Sequence, residues 1–145
     1  MASYWVVVIK LDHIAVGVSN LDAAIDFYEQ KIGLKFLFKK VDEAHGEAFA
    51  YLEMEGGRLE LLQSLHLTKH RAVDHHSFCP HMAFASNDLY ATEKDLRKKQ
   101  VVLLKGPMEI PGMVRWLYAA DLDGNVLEFV QWVKGVEPDA QSKPQ

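Results

Sequence analysis

The feature that most constrains this chain is an internal repeat at an offset of 68 residues. Residues 13–21 recur as residues 81–89, so that His81 corresponds to His13. The same offset relates Glu60 to Glu128. It also relates three further pairs, which are Gly56 and Gly124, Leu59 and Leu127, and Gln63 and Gln131. A repeat that extends over such distant positions indicates two modules of equivalent structure.

Each repeat begins with a predicted strand that leads into a helix. In the first copy, alternation places His13, Ala15 and Gly17 on one face of the strand, opposite a bulky apolar face. A histidine beside small residues is typical of a strand that lines a cavity. Apolar residues at helical spacing then predict a helix over 21–32, with Asn20 or Ser19 as its N-cap.

The rest of each module is predicted to be β-structure. The second module is predicted to begin with a strand at 79–86 and a helix at 88–99, and to contain a Gly- and Pro-rich loop at 106–112. The remaining strands are predicted at 35–41, 47–54, 58–63, 101–105, 113–120 and 126–133. The pattern therefore predicts an α+β fold of two tandem βαβββ modules.

These modules are expected to form one domain. It is predicted to span residues 1–134, with the modules at about 10–63 and 79–133 joined by a polar linker at 64–78, and with a flexible tail at 135–145.

Composition narrows the class of partner. A net charge of −4 over 145 residues provides no basic field, which argues against nucleic acid and anionic membranes as partners. The single cysteine, Cys79, allows no intrachain disulfide and is compatible with a reducing compartment. The strongest apolar run, at 4–9, is much shorter than the roughly 20 residues of a membrane span, and no signal peptide is recognised. We therefore expect a soluble, cytoplasmic protein.

The repeated histidine and glutamate suggest a metal site. Duplication would keep core residues such as Leu59 and Leu127 for packing, but packing gives no reason to keep a carboxylate in both copies. Two imidazoles and two carboxylates suit one divalent transition metal: Ni, Zn, Co, Mn or Fe. The predicted ligands are His13, Glu60, His81 and Glu128. The alternative is a pair of hydrogen-bonded structural histidines and two solvent-facing glutamates.

Two other segments resemble metal sites more weakly. The linker contains His66, His70, His75 and His76, but no regular element supports them. Residues 121–125 resemble part of a calcium loop, yet Trp132 stands where such a loop needs its glutamate, so a hairpin turn is predicted there.

Two motifs resemble those of the vicinal oxygen chelate superfamily, which includes glyoxalase I, methylmalonyl-CoA epimerase, extradiol dioxygenases, and fosfomycin and bleomycin resistance proteins. They are LDHIAVGVSNLDAAIDFYE at 11–29, followed by Gly33 and Leu34, and DLDGNVLE at 121–128. The resemblance covers about residues 10–133. It implies paired βαβββ modules in a curled, cup-shaped mixed sheet with helices outside, and a homodimer.

The ligand pattern most resembles that of bacterial glyoxalase I, because all four family ligand positions are filled. Dioxygenases and fosfomycin enzymes leave the second position without a ligand, and bleomycin-binding members lack the metal set. Glutathione-using members carry Arg four residues after the first ligand and Asn four residues after the second. Gly17 and Ser64 stand there in this chain, which disfavours a glutathione adduct as the substrate.

The resulting hypothesis is a metal-dependent lyase or isomerase of the glyoxalase type. Two vicinal oxygens of a small-molecule substrate would bind the ion, which would stabilise an enediolate as a Lewis acid. Glu128 is the preferred base and Glu60 the second choice, since one carboxylate must take and return the proton. Arg115 and Trp116 are further candidates for substrate contact.

Two alternatives remain open from the sequence. One is an extradiol-type dioxygenase. The other is a metal-free small-molecule or drug-binding protein of the bleomycin-resistance kind, with an apolar groove lined by Phe49, Tyr51, Trp116 and Tyr118.

Overall fold

The structure, a computed structural model, describes residues 9–67 and 78–136, here called module 1 and module 2. Module 1 contains strand β1 (Ile14–Gly17), helix α1 (Leu21–Asp26), its π-helical continuation (Phe27–Ile32), and strands β2 (Lys35–Asp42), β3 (Glu47–Met54) and β4 (Gly57–Ser64). Module 2 contains β5 (His81–Ala85), α2 (Leu89–Lys98), β6 (Val102–Ile110), β7 (Val114–Ala120) and β8 (Val126–Trp132). The α+β class and the tandem βαβββ modules are confirmed.

Within the described residues, each module forms its own four-stranded mixed sheet. The strand orders are β1-β4-β3-β2 and β5-β8-β7-β6, and neither sheet closes on itself. The first strand of each module is parallel to the last, with Ala15 opposite Glu60 in module 1 and Ala83 opposite Glu128 in module 2. The chain divides into two compact units, one for each half of the chain. The assignment of both modules to one domain over 1–134 stays a prediction.

Each sheet has one face packed against the helix of its own module. In module 1, Leu59 and Leu61 of β4 are fully buried, and α1 contacts both β3 and β4. In module 2, Leu127 of β8 is fully buried and α2 contacts β6 and β8. Because side chains alternate along a strand, Glu60 and Glu128 lie on the other face, here called the open face of each module.

The two helices begin in the same way. Asn20 Oδ1 accepts a hydrogen bond from the backbone N–H of Ala23, and Asp88 Oδ1 accepts one from Ala91. A glutamine from the last strand of the module caps the first helical residue: Gln63 Oε1 accepts from Leu21 N at 2.7 Å, and Gln131 Oε1 accepts from Leu89 N at 2.8 Å. These N–H groups have no partner within the helix, which gives a physical reason for glutamine in both copies.

The prediction of a loop at 106–112 is wrong, because strand β6 continues to Ile110. Gly106 has φ +100, and a Cβ added there would lie 3.0 Å from Leu117 Cα and from the Trp116 carbonyl oxygen. Glycine therefore allows β6 to bulge while keeping close to β7, and the pairing resumes with Met108 opposite Trp116. Gly and Pro here mark an irregular strand and not the end of one.

The hairpin turn predicted at 121–125 is confirmed. The buried Asp121 accepts, through Oδ1, the backbone N–H groups of Asp123 and Asn125, both at 2.9 Å. Its Oδ2 accepts from Asn125 Nδ2 at 2.8 Å. The carboxylate thus holds the turn together. No helix in residues 9–67 and 78–136 is long and apolar enough to cross a membrane.

Candidate metal centre

The parallel pairing of β1 and β4 brings His13 and Glu60 together in module 1. His13 lies two residues before Ala15, the residue opposite Glu60, and its side chain therefore extends over the same face. His13 Nε2 lies 2.8 Å from Glu60 Oε2, with 30% and 16% of the two side chains exposed. This pair is thus largely, but not completely, removed from water.

Module 2 repeats this arrangement with His81 and Glu128. Ala83 takes the place of Ala15 in the register, and His81 Nε2 lies 2.8 Å from Glu128 Oε2. The side-chain exposures are 24% and 17%. The structure therefore brings the four predicted ligands together two by two, and the shared register explains why the offset of 68 relates both members of the pair.

The second nitrogen of each ring also faces an oxygen. His13 Nδ1 donates to Asp12 Oδ2 at 2.8 Å, and His81 Nδ1 donates to the carbonyl oxygen of Phe78 at 2.7 Å. A neutral imidazole has one N–H, so each Nε2 presents a lone pair to a glutamate oxygen. That contact needs a cation or a proton between the two atoms. A Glu oxygen and an Nε2 with Nδ1 hydrogen-bonded behind it are donors that suit a divalent transition metal.

Asp12 serves as a charged acceptor in this arrangement. The hydrogen bond from His13, followed by the positive charge of Arg58, holds the pKa of Asp12 below its ordinary value. Arg58 Nη2 donates to Asp12 Oδ1 at 2.9 Å. The His13 ring is therefore held from behind by an ionised carboxylate at neutral pH.

Each module by itself supplies two ligands. Across residues 9–67 and 78–136, no group of three or more His, Cys, Asp or Glu side chains is assembled for metal binding. The convergence of all four on a single ion stays a prediction. Of the linker histidines, His66 packs against Gly46. The other three, at 70, 75 and 76, lie outside the described residues.

A tyrosine lies beside each pair, a position missed from the sequence, which predicted these residues only as the lining of an apolar groove. Tyr51 is directly opposite Glu60, and Tyr118 is directly opposite Glu128. Their rings meet those of His13 and His81 edge-on, with centroids 5.3 and 5.6 Å apart. The two tyrosines are 67 residues apart, because the hairpin between tyrosine and glutamate is one residue longer in module 2. A repeat search that allows a one-residue gap would have paired them.

Both tyrosines keep their phenolic proton. Burial, and after it the negative charge of Glu60, raises the pKa of Tyr51 above its ordinary value. Burial and the charge of Glu128 raise the pKa of Tyr118 in the same way. Each pair therefore has a neutral O–H donor beside it at physiological pH.

The open face of module 1 continues from the His–Glu pair to a cleft. Phe38 stacks on Tyr51 with centroids 5.3 Å apart, and Phe49 packs edge-on against both rings. Beyond them lies a cleft of about 390 Å³. It is lined by Gly17, Val18, His45, Gly46, Glu47, Leu62, Ser64, His66 and Leu67. We call it the module 1 cleft.

Comparison with known proteins establishes the family. Residues 10–129 match the family model described as the glyoxalase/bleomycin resistance protein/dioxygenase superfamily. The chain belongs to this superfamily. The resemblance noted in the sequence is thereby confirmed.

Curated relatives of the superfamily are similar along most of their length. The lactoylglutathione lyase of Haemophilus influenzae is 28% identical over 124 residues, which cover 82% of this chain and 90% of that protein. The metallothiol transferase FosB of Bacillus licheniformis is 28% identical over 124 residues, covering 84% of this chain and 75% of that protein. The chain is thus a glyoxalase-like member.

A solved structure shares the superfamily fold. The trypanothione-dependent glyoxalase I of Leishmania major matches with a TM-score of 0.70 at 23% identity, over 86% of this chain and 87% of that one. This similarity shows a common fold.

Two further candidates of module 2 lie on different faces. Trp116, opposite Val130, is on the open face with Tyr118 and Glu128. Arg115 is on the other side, where its guanidinium lies 5.2 Å from the ring centroid of Tyr90 in α2 and its Nε lies 3.3 Å from Glu109 Oε1. Of these two candidates for substrate contact, Trp116 therefore shares a face with the His–Glu pair, and Arg115 does not.

Proposed function

We propose that this protein is a divalent-metal-dependent lyase or isomerase of the glyoxalase type. The observation that carries the proposal is the twin His–Glu contact of 2.8 Å, built from the same register in both modules. The similarity to lactoylglutathione lyases supports the reaction class.

The ion, which would be Ni, Zn, Co, Mn or Fe, would be held by His13, Glu60, His81 and Glu128. When bound, it supplies Lewis acidity toward two neighbouring oxygens of the substrate. The two modules that complete the set would come from one chain or from the two chains of a homodimer.

A carboxylate of this set moves the proton. For a hydroxy-carbonyl substrate, Glu128 removes the proton of the carbon that carries the hydroxyl group and returns it to the neighbouring carbonyl carbon, while the hydroxyl proton passes to the former carbonyl oxygen; Glu60 is the second candidate for the base. The neutral O–H groups of Tyr51 and Tyr118 donate hydrogen bonds to the substrate oxygens as negative charge develops there.

The substrate differs from a glutathione adduct in its distal part. Gly17 and Ser64, which take the family positions of Arg and Asn, both line the module 1 cleft. Since each strand residue advances about 3.3 Å, Ser64 lies about 13 Å along β4 from Glu60. With a small hydroxyl and no guanidinium at these positions, we propose a hydroxy-carbonyl or acyl substrate whose distal part is not the anionic glutathionyl group.

The first experiment measures metal content. Protein stripped with a chelator is reloaded with Ni, Co, Zn or Mn, and the bound metal is quantified in the wild type, His13→Ala and His81→Ala. Roughly one ion per chain is expected in the wild type, with a loss of at least about 100-fold in affinity in either variant. His45→Ala is the control for metal binding alone, because His45 pairs with Asp42 and, although it lines the module 1 cleft, is not one of the four proposed ligands.

Two results would contradict the proposal: a wild type that binds none of these metals, or histidine variants that bind them as well as His45→Ala. If metal is bound, turnover is then measured with α-ketoaldehyde–thiol adducts and acyl-CoA epimers.

A second candidate is metal-free binding of an aromatic small molecule, favoured by the Phe38, Phe49 and Tyr51 cluster on the open face. Ligand affinity would then be unchanged by a chelator and by His13→Ala, but reduced by Phe49→Ala.

A further inference from the structure

In the two histidines of the proposed ligand set, the Nδ1 atoms donate hydrogen bonds to different groups. In module 1, Arg58, Asp12 and His13 form a line of two hydrogen bonds, at 2.9 Å from Arg58 to Asp12 and at 2.8 Å from His13 to Asp12. Arg58 lies at the start of β4, 46 residues after Asp12. The line therefore joins the segment before β1 to the strand that carries Glu60.

In module 2, the corresponding acceptor is uncharged. His81 Nδ1 donates to the backbone carbonyl oxygen of Phe78 at 2.7 Å. Either partner fixes the tautomer and the orientation of the imidazole, but only the carboxylate adds a negative charge, which makes the opposite ring nitrogen a stronger electron-pair donor to a metal ion. The Nε2 atoms of His13 and His81 therefore differ in their strength as electron-pair donors to a metal ion, although both lie 2.8 Å from a glutamate oxygen.

Stability does not explain the Asp12–Arg58 pair. The side chain of Asp12 is 68% exposed and that of Arg58 is 48% exposed. Ion pairs so open to water add little to the free energy of unfolding. The Asp12–Arg58 pair is therefore better explained by its effect on His13 than by a contribution to stability.

We infer that Asp12 and Arg58 are positioning residues that make His13 the stronger of the two histidine ligands. Arg58 orients the Asp12 carboxylate, and Asp12 orients the His13 ring and keeps its proton on Nδ1. This inference rests on the proposed function. It also implies that the ion is bound more firmly by module 1, which leaves Glu128 of module 2 as the carboxylate better able to detach and act as base.

The test measures metal affinity and not turnover. Chelator-stripped full-length protein competes with a chromophoric chelator for Co²⁺ or Zn²⁺ at constant pH and ionic strength. Asp12→Asn keeps the shape of the side chain but removes its charge, and it is expected to weaken affinity about tenfold, the lower end for a partner behind a metal ligand because Asp12 is exposed. Arg58→Met is expected to weaken affinity by less, about threefold, since the carboxylate remains.

The matched control is Asp22→Asn. Asp22 is another exposed aspartate of module 1, paired with Lys39 at 2.8 Å and with 75% of its side chain exposed. Its loss should leave affinity unchanged. Thermal unfolding of the metal-free protein should be the same for wild type, Asp12→Asn and Arg58→Met, and Asp12→Glu should recover part of the affinity.

The outcomes separate this inference from the proposed function. A wild type that binds no metal overturns both. A wild type that binds metal, with Asp12→Asn no weaker than Asp22→Asn, overturns the positioning role alone. A loss of affinity matched by a loss of stability in the metal-free protein would also overturn it, because Asp12 would then be supporting the fold.

Discussion

At the His–Glu end of the open face, the two modules carry the same residue types in the same register, whereas at the far end they differ. Histidine, alanine, glutamate and tyrosine recur beside each other in both sheets. Four residues further along, module 1 has Gly17 and Ser64 beside a cleft, and module 2 has Ala85 and Trp132. The part common to both modules is the part that the proposed chemistry needs twice. The part that differs includes the module 1 cleft, where the proposed function puts the distal part of the substrate.

The two copies also differ behind their equivalent histidines. A carboxylate held by arginine supports His13, while a backbone carbonyl supports His81. Under the proposed function, the two modules would carry the same ligand types and still have different roles, with module 1 binding the ion more firmly and module 2 exchanging the proton.

The largest expected effect is on kcat, and it distinguishes Glu128 from Glu60. Glu128→Gln keeps an oxygen ligand but cannot take a proton, and it should lower kcat by about 10²–10⁴-fold, the range for loss of a general base. Glu60→Gln should lower kcat by about tenfold, because only a ligand is weakened. Steady-state kinetics with the metal-loaded protein checks both values.

The control is Glu109→Gln, because Glu109 is an exposed glutamate of module 2, and the kcat of this variant should equal that of the wild type. If Glu60→Gln lost more activity than Glu128→Gln, the roles assigned to the two modules would be reversed. Equal losses would show that the modules act alike.

The amino-acid sequence predicts the common part of the modules better than their differences. A fixed offset identified both His–Glu pairs, and the helix starts and most strand bounds follow from local spacing and capping. The Tyr51–Tyr118 equivalence was hidden by one extra residue in a hairpin. The irregular β6 was missed because Gly106 normally breaks a strand, and its packing against Leu117 is visible only in three dimensions.

The groups that accept hydrogen bonds from His13 Nδ1 and His81 Nδ1 could not be predicted from the sequence for a similar reason. Asp12 is adjacent to His13 in sequence, but its second partner, Arg58, is far along the chain. The acceptor 2.7 Å from His81 Nδ1 is a main-chain carbonyl, which no residue type specifies.

The next effect compares the hairpins that lead to the two glutamates. In module 2, the buried Asp121 accepts two backbone N–H groups, and Asp121→Ala would leave both without this acceptor, at a cost of about 2–3 kcal/mol in the free energy of unfolding. In module 1 the turn is short and contains Gly56 at φ +90, so Gly56→Ala should cost about 1 kcal/mol. Denaturant unfolding measures both values. A cost for Asp121→Ala below about 0.5 kcal/mol, the range of ordinary surface substitutions, would show that the longer turn of module 2 does not depend on its aspartate.

The smallest effect tests where the modules are most alike. Gln63 and Gln131 each accept the N–H of the first residue of their helix, at 2.7 and 2.8 Å. Replacing either one with methionine keeps most of its volume but leaves a helix N–H without its acceptor, which should cost about 1 kcal/mol in each case. Gln131 Nε2 also donates to the carbonyl oxygen of Asn87 at 3.1 Å, so Gln131→Met should cost slightly more than Gln63→Met. Gln30→Met, at an exposed helical position, is the control for unfolding measurements. If both substitutions cost no more than this control, helix capping would not explain why glutamine occurs at this position in both modules.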